Sequence, residues 1–154
     1  MQLMKTQLIK DILVSEPDGR LVTICGWVRT KRDSKNLCFI QVNDGSCFAT
    51  IQLTFDRENA NPNNENIENT LPNVTTGASI KATGKLIPSP ASGQAVEVAL
   101  ETLEVLGVSP SDYPLQKKGH TVEFLRENSH LRARTNMFGA VARMRSEMAF
   151  AVHS

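Results

Sequence analysis

The alternation of apolar and polar positions divides the chain into a short helix, five strands with a polar crossover among them, a linker and a closing helix. Leu8, Ile9, Ile12 and Leu13 recur at helical spacing within residues 5–14, and the breaker Pro17-Asp18-Gly19 follows, which predicts one short helix. LVTICGWVRTKR (21–32) is rich in β-branched residues and partly alternating, with Gly26 in mid-run where a strand bends or bulges. NLCFIQVN (36–43) and SCFATIQLTF (46–55) are the next strands, and the pair Asp44-Gly45 between them is a strong hairpin signal. Together these three segments predict an antiparallel meander.

Residues 56–76 are rich in Asn and offer only Ile67, Leu71 and Val74 for burial, a spacing that predicts a short helix within a long crossover. Two more strands read as ASIKATGKLIP (78–88) and QAVEVALETLEVLG (94–107), joined by Ser89-Pro90-Ala91-Ser92-Gly93. In the last run Val96, Val98 and Leu100 alternate with Glu97, Ala99 and Glu101, which predicts one core face and one wet face. A mainly β chain with five strands and an insertion between the third and fourth matches a small Greek-key barrel of the oligonucleotide-binding type. A small β-sandwich or a different barrel fits the same count.

After Gly107 the texture changes to a polar, proline-containing stretch without a sustained period, residues 108–135, as expected of a linker. Thr135-Asn136 then caps a helix, with Phe138, Val141, Met148 and Val152 on one stripe and Arg143 and Glu147 as an i,i+4 pair on another face. The helix runs to Ser154 without a Gly or Pro stop, and nothing else after residue 135 can cover its stripe. The expectation is a chain cut inside a helix of a second domain, or a helix that docks on another protein. The organisation reads as 1–107 barrel, 108–135 hinge, 136–154 beginning of a further domain.

At 154 residues the chain suffices for one domain with its own core and is cramped for two. No apolar run approaches the roughly 20 residues of a membrane span, and the opening MQLMKTQLIKDILVS lacks the apolar stretch and cleavage site of a secretory signal. A cytoplasmic location with no membrane partner is the expectation. Cys25, Cys38 and Cys47 sit singly in strand-like runs without CxxC spacing, which predicts buried free thiols and no metal site.

The net charge of +1 hides an asymmetry. Residues 1–112 carry ten Lys+Arg and thirteen Asp+Glu, whereas residues 113–154 carry seven and three. Inside the acidic part lies a basic knot, Arg29, Lys31, Arg32 and Lys35, interrupted only by Asp33. Such a patch suits a polyanion bound locally and released, since each phosphate contact is salt-sensitive; a solvated strand end has the same composition.

The residues then divide the work of single-stranded recognition. Arg29, Lys31 and Arg32 are placed to contact phosphates, Phe39 to stack on an unpaired base, and Gln52, which alternates with Ile51 and Leu53, to bond a base edge. By residue type alone Phe39 reads first as a core residue. No catalytic set is visible: His120, His130 and His153 are scattered over linker and helix, and the chain has neither a GxxxxGK[ST] phosphate loop nor an activated nucleophile.

GWVRTKRDSKNLCFIQVNDGSCFATIQ (26–52) and YPLQKKGHTVEFLRENSHLRARTNMFGAVARMRSEMAFAVHS (113–154) resemble the N-terminal part of bacterial asparagine-tRNA ligases, and aspartate and lysine ligases share the barrel but differ in these strings. The resemblance implies an anticodon-binding barrel, a hinge and the start of a class II catalytic domain. It implies that Arg29, Phe39 and Gln52 read the anticodon of tRNA(Asn), which moves Phe39 from the core to a stacking role. The helix from Asn136 resembles the beginning of motif 1, and the resemblance places Phe138, Val141 and Met148 at a homodimer interface. Motifs 2 and 3, which bind ATP, Mg2+ and asparagine, would lie beyond Ser154, so the chain alone is expected to bind tRNA without catalysing. Gly119 and Ala133 depart from the family, which usually has a basic residue and a proline there, and this bears on the rigidity of the hinge. A free-standing binding module and a portion of an aspartate ligase are the alternatives.

Overall fold

The computed structural model describes residues 6–90 and 93–153. Among them, β1 (Leu21–Asp33), β2 (Leu37–Asn43), β3 (Ile51–Asp56), β4 (Ser79–Pro88) and β5 (Val96–Gly107) close a barrel in the order β1-β2-β3-β5-β4. All pairings are antiparallel except β3 with β5, the parallel seam that the long crossover makes available. β1 serves two neighbours. Leu21–Trp27 pair with β4, Trp27–Asp33 pair with β2, and Gly26 sits at the change of partner. A Cβ there would lie 2.7 Å from Val42 Cγ1 and 2.9 Å from the Asn43 carbonyl oxygen, so the bend needs a glycine.

Two short helices complete the core. The helix α1 (Ile9–Leu13) contributes Ile9 and Ile12, and the crossover forms α2 (Asn64–Thr70) with a 3-10 turn at Leu71–Asn73. Ile67, Leu71 and Val74 are buried, as their spacing predicts, in the same cluster as Val22, Ile40, Leu53 and Val98 of the strands. A helix as short as α1 does not hold itself together, and its leading N–H groups are met from a distance. Ile9 N–H donates to the Asp44 carboxylate at 2.8 Å and Lys10 N–H to the Ser46 hydroxyl at 3.1 Å. The helix is shorter than the predicted 5–14, of which Lys5 lies outside the described residues.

That capping revises the second hairpin. Asp44-Gly45 does not form a two-residue turn, and β3 begins at Ile51 rather than at residue 46. Asp44 is engaged by α1 and by its own loop, where it accepts from Ser46 N–H at 2.8 Å and from the Ser46 hydroxyl at 2.6 Å. Asn43 Nδ2 donates to the carbonyls of Cys47 and Ala49, so residues 44–50 fold as a pinned loop. Cys47 therefore lies in a loop. It and Cys25 are half-buried, and of the three free thiols only Cys38 lies in the core, where burial and the nearby Asp33 charge push its pKa up to about 11.

A second revision concerns β5. Glu97 is predicted on a wet face but is 4% exposed, because β3 lies alongside it and Ser89 folds over it. Within the predicted loop that contains Ser89, Ala91 and Ser92 lie outside the described residues.

The chain divides into two compact units, one extending to Tyr113 and one from Pro114. Residues 108–113 stay with the first: Thr75 Oγ1 donates to the Ser109 carbonyl at 3.4 Å, and Gly77, with φ of +90°, leaves room for the Tyr113 ring, which a Cβ would meet at 2.8 Å. The second unit is not featureless. Thr121 caps α3 (Val122–Glu127) by accepting from Phe124 N–H at 3.2 Å, and α4 (Asn136–His153) follows a 3-10 turn at Arg132–Arg134. Six residues are too few for a period to show in sequence. No described helix is long and apolar enough to cross a membrane.

Candidate nucleic-acid interface

β2 alternates buried Cys38, Ile40 and Val42 with half-buried Leu37, Phe39, Gln41 and Asn43, and β3 alternates Ile51, Leu53 and Phe55 with Gln52 and Thr54. Phe39 therefore belongs to the outward side of the barrel, not to its core. In register, Arg32 faces Phe39 and Phe39 faces Thr54, while Thr30 faces Gln41 and Gln41 faces Gln52. Two cross-strand rows result, one aromatic with a cation and one of amides.

The rows depend on a bulge. The pairing of β1 with β2 shifts between Val28 and Thr30, so Arg29 is the extra residue. Val28 and Lys31 are three apart yet both stand opposite core residues, Val42 and Ile40. Lys31 is accordingly turned from the outward rows, and its ammonium donates to the Leu71 carbonyl at 2.7 Å. Arg32 comes outward instead. Its guanidinium lies 5.2 Å from the centroid of the Phe39 ring, within the range of a cation–π contact.

The negative charge in the basic knot is also accounted for. Arg57 pairs with Asp33 at 2.9 Å and with Glu68 of α2, and donates to the Ser34 carbonyl at 2.6 Å. These bonds hold the Arg57 pKa above its ordinary value, the hydrogen bond to Glu68 being the main cause. The same clamp ties the β1–β2 tip, which carries the exposed Arg32 and Lys35, to the crossover helix.

Gln52 is held from the side. Its Nε2 donates to Glu97 Oε2 at 3.0 Å, an oxygen that also accepts from the Ser89 hydroxyl at 3.3 Å. Sequence reading missed both Glu97 and Gln41. Alternation places Gln41 with Phe39, and that signal was available; the approach of Glu97 required knowing that β3 and β5 run side by side. The structure thus brings Arg32, Phe39 and Gln52 together on one side, places Arg29 at the bulge beside them, and separates Lys31 from them.

An outward β1–β3 face that offers an aromatic, an arginine and an amide on a closed five-stranded barrel is the arrangement through which such barrels take single-stranded nucleic acid. Residues 22–106 match the family described as OB-fold nucleic acid binding domain. The chain belongs to that family. Beyond the OB-fold, it is 57% identical over 148 residues to an asparagine–tRNA ligase of Treponema denticola, an alignment that covers 96% of this chain and 31% of that protein. A second such ligase, from Cytophaga hutchinsonii, is 49% identical and the alignment covers 98% of this chain and 32% of that protein. The chain therefore spans about a third of the length of these relatives. Among solved structures, asparaginyl-tRNA synthetase from Pyrococcus horikoshii superposes with a TM-score of 0.80 at 20% identity, covering 98% of this chain and 35% of that one, which bears out the fold.

On α4, Val141 and Met148 are 51% and 63% exposed, and the apolar stripe gains Met137 and Met144 at intervals of three and four residues. Phe138 is half-buried, with the Arg132 guanidinium 5.1 Å from its centroid.

Proposed function

We propose that this OB-fold reads the anticodon of tRNA(Asn) as the tRNA-binding portion of an asparagine-tRNA ligase. The observation that carries the reading is the grouping of Arg32, Phe39 and Gln52 on one outward face, in a chain 57% identical to a protein of that name. Phe39 supplies a ring on which an unpaired base stacks, Arg32 and Arg29 supply positive charge for the phosphates, and Gln52 supplies a hydrogen-bonding amide for a base edge. Lys31 acts differently: bonded to the Leu71 carbonyl, it secures the end of the barrel and contributes only to the field.

In the same reading the parent enzyme activates asparagine with ATP and Mg2+ in the cytoplasm and transfers it to tRNA, and the residues of this chain take the recognition step alone. The exposed stripe of α4, with Phe138 at its edge, is assigned to the subunit interface of a homodimer.

The test is titration with an anticodon stem-loop carrying GUU, the anticodon that the genetic code assigns to asparagine. Binding should weaken as salt rises, and Phe39→Ala should cost about 1 to 3 kcal/mol, the range for a lost stacked base. Equal affinity of wild type, Phe39→Ala and Gln52→Ala for the stem-loop would remove the site.

A further inference from the structure

The basic knot is divided by side. Lys31 and Asp33 stand opposite the core residues Ile40 and Cys38, whereas Arg32 stands opposite Phe39 on the outward face. Charges of the crossover meet the first two at the end of the barrel. The Arg57 guanidinium pairs with Asp33 at 2.9 Å and forks onto both oxygens of Glu68, the second bond being 3.3 Å. Lys31 reaches the Leu71 carbonyl just past α2. Beyond the burial that dominates its raised pKa, the Cys38 thiol feels the charges of Asp33, Lys31, Arg57 and Glu68, so the four gather around one point. Two cations and two carboxylates cancel there.

The cancellation has a bearing on phosphate binding, because Asp33 sits in the chain beside Arg32 and two residues from Lys35, both exposed. Among the described residues no carboxylate pairs with either cation. Released from Arg57, the Asp33 carboxylate would lie within a Debye length, about 8 to 10 Å, of the same cations that a phosphate has to attract. A guanidinium suits the task, since its planar fork meets two carboxylates at once and its charge is permanent. Arg57 also holds the tip by its main chain and side chain together: its N–H donates to the Asn36 carbonyl at 2.9 Å and its guanidinium to the Ser34 carbonyl at 2.6 Å.

We propose that Arg57 is a positioning residue for RNA binding, which acts by holding the Asp33 carboxylate at the barrel end and so leaves Arg32 and Lys35 unopposed for phosphate. This rests on the outward face being the RNA-binding face. The fork is then a charge screen as well as a strut, and the two roles predict opposite outcomes when Asp33 is removed.

The experiment titrates the full chain with the GUU stem-loop at a series of salt concentrations. Arg57→Ala should weaken binding several-fold at low salt and less as salt rises, and should make the slope of log affinity against log salt shallower by about 0.7, the increment for one phosphate contact on a single strand. Arg57→Ala combined with Asp33→Asn loses every side-chain bond of Arg57 yet returns the local charge to zero, so it should recover wild-type affinity and slope. Arg57→Lys, which keeps the charge without the fork, should bind nearly as wild type does. A double variant as weak as Arg57→Ala would overturn the proposal, because Arg57 would then act by shape alone. Should Arg57→Ala fail to fold, Asp33→Asn in the wild-type background still decides: it should bind as tightly as wild type or tighter, and weaker binding would overturn the proposal.

Arg32→Ala and Phe39→Ala keep this test apart from the reading it rests on. If both weaken binding while the Arg57 and Asp33 variants depart from the expected pattern, the inference fails and the binding face stands. If neither weakens it, the face itself is wrong.

Discussion

The barrel unit and the unit that follows it handle their apolar side chains in opposite ways. In the barrel, every strand, α1 and the crossover contribute to one cluster whose members are almost wholly buried. In α4, Met144, Met148, Phe150 and Val152 are 68%, 63%, 73% and 80% exposed, and Gly139 is the helix's buried residue. A strand in a closed barrel finds cover for its inward face from its neighbours, whereas a helix with an apolar stripe requires a partner surface, and its own unit supplies little. A secondary structure and a core are thus separate achievements of a sequence.

The contrast can be attacked from its strongest side first. Leu53, fully buried at the centre of β3, should cost about 2 to 5 kcal/mol when replaced by Ala, measured by urea unfolding. A loss under 1 kcal/mol would mean that the barrel core is not one cooperative cluster. Gly26→Ala should cost roughly 1 to 3 kcal/mol by forcing a methyl into Val42 and the Asn43 carbonyl at the bend of β1. Unchanged stability would show that β1 changes partner without a close approach.

Asp44 tests whether the reach between loop and helix matters energetically. Burial alone would push its carboxyl up, but hydrogen bonds from the Ser46 hydroxyl and from the N–H groups of Ile9 and Ser46 outweigh burial and hold it below its ordinary value of 3.8. A carboxylate lowered on folding stabilises fully at pH values well above 3.8, and the contribution is lost as pH falls through the lowered folded-state value. Asp44→Asn should cost about 1 kcal/mol at neutral pH, as for the loss of a helix cap, and should flatten the decline of stability in acid. An unaltered acid profile would rule out the cap.

The smallest effect belongs to the other unit. Met148→Ser should change the stability of the isolated chain by no more than about 0.5 kcal/mol, as for an exposed position. A loss comparable to that of Leu53→Ala would show that α4 is covered after all, and the contrast between units would fall.

These differences also explain what could be read without a structure. β1, β2, β4 and β5 fall within two residues of their predicted spans, because each has its own alternation and boundary residues. The start of β3 was not legible, since what keeps Asp44 from closing a tight turn is a helix thirty-five residues away in sequence. Gln52 follows from simple alternation, whereas Phe39, which reads by residue type as a core residue, is placed outward only by the family resemblance. The side of Lys31 was not legible, because one extra residue upstream reverses it, and the burial of Glu97 depends on a parallel neighbour that no local pattern announces.

The bulge at Arg29 has one more implication, for how this surface tolerates change. A strand keeps its two sides apart by odd and even count, so the length between Val28 and Arg32 acts as a parity bit. Straightening the bulge without removing a residue would exchange the plug and the stack: the lysine would swing out beside Phe39 and the arginine would be driven toward the barrel end. Deleting the extra residue would instead restore plain alternation and leave both on their present sides, so the segment tolerates losing its bulge by deletion but not by flattening.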